Sequence, residues 1–145
     1  MQNRIIAVLV AATLFAGFAN AETYVCQIRP NGQTVGLISD SITMSIDDAT
    51  LNAVVSDSIV RAAGKKHAAA TLTTYTDKRL TAKWTMHGVK DSNNDIHAKI
   101  DYRLVIWMSQ RNKASLTARN DLFDGHLVRL SGLVRLSGSG KCKPH

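Results

Sequence analysis

The sequence predicts an all-β protein: a single antiparallel β-sandwich or small β-barrel of about six to eight strands, closed by a disulfide after removal of a signal peptide. Three observations lead to this prediction. The chain begins with the layout of an export signal, several later segments alternate between apolar and polar residues, and two cysteines lie near the two ends of the remaining chain. Together they indicate an exported domain whose strands each bury one face.

The N-terminal segment has the three parts of a secretory signal peptide. Arg4 supplies a positive charge, residues 5–18 form an uncharged and mostly apolar run, and Ala19-Asn20-Ala21 has the small residues of a cleavage site. The apolar run is shorter than the ~20 residues that a membrane-spanning helix needs, and no later segment is longer. We therefore expect residues 1–21 to be a signal peptide and residues 22–145 to form one periplasmic or secreted β domain.

Cys26 and Cys142 are the two cysteines of the chain. In an oxidising compartment an even number of cysteines with no CxxC spacing predicts a structural disulfide. A redox-active or metal-binding thiol pair is the alternative, but neither cysteine has a neighbouring partner at the spacing such sites use. We expect the bridge to place the first and last strands side by side.

Two segments show the period-two alternation most clearly. In residues 80–88 (LTAKWTMHG) and 96–104 (IHAKIDYRL) every second side chain is apolar, as in strands that bury one face. The polar stretch KDSNND at 90–95 separates them and predicts a turn. Short alternating strands joined by close turns are typical of antiparallel sandwiches and barrels.

The segment at residues 47–66 is compatible with two structures. It reads as a helix capped by Asp47 or Asp48, or as two short strands joined near Ser56-Asp57. Its Val, Ile, Ser and Asp content suits a helix poorly, so we favour the two strands.

The hexamer LVRLSG occurs twice in tandem, at residues 127–138. Because six is even, either copy can replace the other without moving the following side chains to the opposite face of the strand. We expect Arg129 and Arg135 to share the outward face, as one long strand or as two strands bent at Ser131-Gly132. A tolerated duplication near a chain end is the simpler interpretation, and an extended basic edge is the functional one.

A hairpin centred on Ser92 would set a definite register between the two clearest strands. That register places His87 opposite His97 and Lys83 opposite Asp101, which would join opposite charges across the strands. The neighbouring histidines would form a candidate metal site for Zn²⁺ or Cu²⁺, with a nearby aspartate as a further ligand. An ordinary solvated histidine pair is the alternative.

Charge gives the most informative functional signal. Without Arg4, the chain has seventeen Lys and Arg residues against eleven acidic ones, a formal charge of +6. A basic face attracts anionic partners, although a merely solvated face that favours solubility has the same composition. The cations predicted to face outward and contact an anionic envelope component or protein partner are Lys83, Lys99, Arg103, Arg119, Arg129 and Arg135.

No catalytic motif stands out, and the sequence suggests no cofactor. We therefore expect a noncatalytic binding or envelope-associated module, with a small-ligand carrier barrel or a histidine-based metal-binding protein as the alternatives. The compartment and the scarcity of aromatic residues argue against nucleic acid as a partner.

At LVIWM the alternation fails, because Val105 and Trp107 fall on the outward face. We expect another part of the domain to cover them; an exposed patch for self-association is the alternative.

Overall fold

The computed structural model describes residues 21–120 and 134–145, which form a closed barrel of eight antiparallel strands. Each strand pairs with its neighbours in sequence, and β1 also pairs with β8. The signal peptide predicted at residues 1–21 lies outside this range except for Ala21. The strands are β1 Ala21–Pro30, β2 Ser41–Asp47, β3 Ala53–Asp57, β4 Ala68–Tyr75, β5 Arg79–Lys90, β6 Ile96–Trp107, β7 Lys113–Asn120 and β8 Val134–Pro144. The structure thus confirms the all-β prediction and selects the barrel.

The interior of the barrel is filled by the apolar side chains that the alternation predicted to be buried. On β5, Leu80, Ala82, Trp84 and Met86 belong to the buried core. Trp84 stacks on Tyr102 of β6, with ring centroids 5.3 Å apart. Because each strand sends alternate side chains inward, the remaining positions form an outer wall that faces solvent.

The disulfide and two glycines of β8, Gly138 and Gly140, bring β1 and β8 together and close the barrel. Cys26 and Cys142 lie directly opposite each other in the β1–β8 pairing and form the predicted bridge. At Gly140, a Cβ atom would lie 1.8 Å from the Gln27 carbonyl oxygen. Only glycine permits this close approach of the two backbones.

The segment after β2 combines both structures that the sequence allowed. It forms strand β3 as expected, but a one-turn helix, α1 (Ser58–Ala62), replaces the predicted second strand. The cap is Asp57, whose carboxylate accepts a hydrogen bond from the Val60 N–H at 2.7 Å. The predicted caps Asp47 and Asp48 were wrong, because Asp47 ends β2. Ile59 and Val60 bury the short helix against the core.

The register of the β5–β6 hairpin differs from the prediction by two residues. His87 pairs with Lys99, and Val89 pairs with His97. The cause lies in the turn, where the Asp91 carboxylate accepts hydrogen bonds from two backbone N–H groups and moves the centre one residue towards the C-terminus. Gly88 adopts a φ of +63°, and past this residue Val89 turns inward.

The second LVRLSG copy is described from Val134 onward and forms the start of β8. Arg135 is exposed as predicted, whereas Leu136 is partly buried against the core. The first copy, with Arg129, lies outside the described residues.

Candidate functional site

A recess of about 770 Å³ lies on the outer wall of the barrel. Adjacent strands β4 to β8 provide its lining: Ala69, Thr71, Thr73, Lys83, Trp84, Thr85, Asp101, Tyr102, Arg103, Thr117, Arg119 and Arg135. Most of these side chains occupy the outward positions of their strands. The recess is therefore separate from the filled interior, where the carrier alternative would place a ligand.

Four of the six cations predicted from the sequence line this recess, namely Lys83, Arg103, Arg119 and Arg135. A fifth, Lys99, lies next to it on β6. The sixth, Arg129, lies outside the described residues. The structure thus brings together cations that extend from position 83 to position 135 of the sequence.

The cations of the recess form two cross-strand pairs of like charge. Lys83 lies directly opposite Arg103 in the β5–β6 pairing, and Arg119 lies directly opposite Arg135 in the β7–β8 pairing. The predicted opposition of Lys83 to Asp101 was wrong, because the hairpin register is shifted by two residues. Like charges directly opposite each other destabilise a sheet, so these pairs cost folding free energy unless a counterion occupies the space between them.

Among the described residues that line the recess, Asp101 is the one acidic side chain. Its carboxylate accepts a hydrogen bond from the Thr85 hydroxyl at 2.6 Å and forms an ion pair with Lys99 at 3.3 Å. The hydrogen bond from Thr85 is the main cause that holds the pKa of Asp101 below its usual range, and Lys99 and Arg119 add to it. Asp101 therefore remains an anion beside Arg119, its cross-strand neighbour on β7.

The Arg103 side chain retains hydrogen-bonding capacity. Its Nε atom is buried and has no hydrogen-bond partner in the described part of the chain. A buried donor without a partner costs free energy. Arg103 is thus partly buried where it lines the recess.

The two histidines of the predicted metal site point to different sides of the barrel wall. His87 is exposed on the outer face, whereas His97 is 7 % exposed and points inward. The His97 Nε2–H donates to the Asp91 carboxylate at 2.9 Å, and this bond lowers the pKa of Asp91. The pairing on which the metal prediction depended was therefore wrong. Among residues 21–120 and 134–145, no cluster of three or more His, Cys, Asp or Glu side chains could hold a metal ion.

The apolar residues of LVIWM are mostly covered. Val105 is 7 % exposed although it occupies an outward position of β6, and Trp107 is partly buried. The cross-strand neighbour of Val105 on β5, Thr81, is 1 % exposed. This burial favours coverage within the chain over an exposed apolar patch.

Sequence reasoning missed a cluster of one carboxylate and two tyrosines near the end of β6, where the Tyr24 hydroxyl also contacts the Met108 sulfur. Glu22 accepts hydrogen bonds from the Tyr24 hydroxyl and, at 2.5 Å, from the Tyr75 hydroxyl. Burial and Glu22 raise the pKa of Tyr24, and Glu22 is the main cause of the raised pKa of Tyr75. The two phenols therefore remain neutral donors, and the cluster ties β1 to β4 across the barrel.

Comparison of the chain with protein-family models, with curated proteins and with solved structures found no match. Within the described residues, the protein contains no helix of the length and hydropathy that a membrane span requires. The geometry of the recess is thus the basis for a functional conclusion.

Proposed function

We propose that this protein is an exported, noncatalytic binding module that holds an anionic ligand in the recess on its outer wall. The observation that carries the proposal is the convergence of Lys83, Arg103, Arg119 and Arg135 on one concavity. A concave, cation-lined surface concentrates the electrostatic field and binds anions more selectively than scattered surface charge. The disulfide is compatible with a periplasmic or secreted location.

The pairing of like charges supports a binding role over a merely solvated surface. A face that only favours solubility gains from interspersed charges of both signs. Here two cation pairs are held directly opposite each other, at a cost in stability. Ligand binding would offset this cost, since an anion between the paired cations removes their repulsion.

The chain offers a closely matched control for a binding experiment. Lys113 and Lys141 are also exposed and lie directly opposite each other on the same two strands, β7 and β8, as Arg119 and Arg135. They lie roughly 20 Å further along the strands and do not line the recess. The double variants Arg119→Gln/Arg135→Gln and Lys113→Gln/Lys141→Gln therefore remove equal charge from equivalent pairings.

The experiment measures retention of residues 22–145 on an immobilised acidic polysaccharide and on immobilised lipopolysaccharide over a series of salt concentrations. We expect salt-sensitive retention, which the Arg119→Gln/Arg135→Gln variant loses and the Lys113→Gln/Lys141→Gln variant keeps. Circular dichroism establishes that both variants are folded. Equal losses in the two variants would show that only net charge matters and would overturn the proposed site.

A further inference from the structure

The arrangement of the two cation pairs indicates how the anionic groups of the ligand are spaced. Lys83 and Arg103 belong to β5 and β6, whereas Arg119 and Arg135 belong to β7 and β8. On β7 the residue opposite Arg103 is Thr117, two positions before Arg119. With strands ~4.8 Å apart and a rise of ~3.4 Å per residue, the centres of the pairs are about 12 Å apart along the wall.

Each pair is suited to an anionic group that carries more than one charge. Directly opposed side chains begin about 5 Å apart at Cβ, so two cationic groups can reach one group between them. A phosphate monoester offers up to two negative charges and several acceptor oxygens, whereas a carboxylate offers one charge to two cations. Guanidinium groups bind phosphate oxygens in a bidentate manner, and arginine occurs in both pairs.

The surface between the pairs favours hydrogen-bond donors and hydroxyl groups. Asp101 lies in the row of Thr85, Arg119 and Arg135, and its carboxylate repels a third anionic group. The same carboxylate accepts hydrogen bonds, and the Thr117 hydroxyl next to Arg103 on the neighbouring strand can donate or accept them. A saccharide presents hydroxyl groups that match these side chains.

We infer that the ligand is a phosphorylated saccharide with two phosphate groups, one bound by Lys83 and Arg103 and the other by Arg119 and Arg135, two pairs whose backbone positions are about 12 Å apart. This inference rests on the proposed function and adds the chemical class of the ligand. A free oligosaccharide and the headgroup of a glycolipid share this chemistry.

The test compares three soluble probes by isothermal titration calorimetry: a disaccharide with phosphates at its two ends, the same disaccharide with one phosphate, and inorganic phosphate. We expect the bisphosphate to bind at least about 100-fold more tightly than the monophosphate, because its second phosphate binds intramolecularly. The Arg119→Gln/Arg135→Gln variant should bind the bisphosphate no more tightly than the monophosphate. Its affinity for the monophosphate should stay within about threefold of wild type, since the Lys83–Arg103 subsite remains.

The role of the spacer is tested with an alkanediol bisphosphate of equal span, which has no hydroxyl groups between its phosphates. We expect wild type to bind the disaccharide bisphosphate more tightly than the alkanediol bisphosphate. Asp101→Asn should reduce this preference, because a neutral amide no longer repels an anion and accepts hydrogen bonds from hydroxyl groups less strongly. An acylated form of the disaccharide in phosphatidylcholine vesicles distinguishes the two sources. Binding of the free compound alone indicates an oligosaccharide, and binding of the acylated form indicates a glycolipid headgroup.

Equal affinities for the monophosphate and the bisphosphate would overturn the two-subsite inference. The proposed anion-binding function would still stand in that case if retention on the acidic polymer depended on Arg119 and Arg135. Only the inference of two phosphate subsites would then be wrong. Both the proposed function and this inference would be wrong if two results were obtained together. The first is that no phosphate probe binds, and the second is that the Arg119→Gln/Arg135→Gln and Lys113→Gln/Lys141→Gln variants are retained equally.

Discussion

Arg119 lies directly opposite Arg135 in the antiparallel pairing of β7 with β8, and both side chains line the recess on the outer wall. Two exposed cations in this position repel each other in the unliganded protein. The structure therefore couples two quantities that are usually independent, the stability of the empty barrel and the affinity of its recess for anions.

The first prediction follows from this coupling. Arg135→Gln should raise the free energy of unfolding by about 0.2–1 kcal/mol at low salt, because it removes the repulsion from Arg119. The same variant should bind the acidic polymer more weakly. Urea denaturation and polymer retention, measured on the same preparations, check both effects.

Lys141→Gln is the control for this prediction, because Lys141 faces Lys113 outside the recess. It should also stabilise the barrel while leaving retention unchanged. If Arg135→Gln destabilised the protein, the repulsion would not be the dominant interaction of that side chain.

The second prediction concerns the close contact of β8 with β1. Gly140→Ala should destabilise the barrel by about 1–3 kcal/mol or more, because the new methyl group meets the Gln27 backbone carbonyl, which cannot rotate away. At Gly138 the nearest atom, at 2.6 Å, is a side-chain methyl of Ile28, which can move. The midpoint of thermal denaturation should therefore be lower for Gly140→Ala than for Gly138→Ala. The reverse order would contradict the closure geometry.

The third prediction concerns the disulfide. The bridge joins residues separated by 116 positions, so its loss should reduce the free energy of unfolding by about 4–5 kcal/mol in the chain-entropy model. The measurement is urea denaturation of the wild type with and without reductant. The double variant Cys26→Ser/Cys142→Ser should match the reduced wild type and be insensitive to reductant. Unchanged midpoints after verified reduction would show that strand pairing alone closes the barrel.

The sequence was sufficient to predict the fold where alternation is regular. The even-numbered apolar residues from Leu80 to Met86 face inward because a strand with one solvated face has no other favourable orientation. The outward placement of Lys83, Arg103, Arg119 and Arg135 follows from the same parity. Parity, however, specifies the face of a side chain and not its cross-strand partner.

The partners depend on turn geometry, which alternation does not encode. Moving the hairpin centre from Ser92 to Asn93 keeps every residue between Arg79 and His87 on its predicted face, yet it changes the neighbour of Lys83 from Asp101 to Arg103. An attractive pair thus becomes a repulsive one, and the recess acquires its charge. The sequence disfavoured a helix where α1 forms for a related reason, since a single turn is too short to show helical periodicity and depends on the Asp57 cap and on burial.

The fourth prediction concerns pH and the hydrogen bond between His97 and Asp91. This bond is the main cause of the lowered pKa of Asp91 in the folded protein. A carboxyl group with a lowered folded-state pKa stabilises the protein above its unfolded value, near 3.9 for aspartate. This stabilisation should be fully present at about pH 6 and should be lost as the pH falls from about 4 through the folded-state pKa.

Asp91→Asn isolates this contribution, because an amide can still accept the hydrogen bonds from the backbone N–H groups of the turn. Urea denaturation at several pH values between about 2.5 and 6 gives the free energy of unfolding of wild type and variant. The two free energies should differ most at about pH 6, and the difference should become steadily smaller below about pH 4. Asp77→Asn, in the exposed turn between β4 and β5, is the control for the loss of an acidic charge. A difference that stays constant over this range would mean that Asp91 acts through the shape of the turn and not through the charge of its carboxylate.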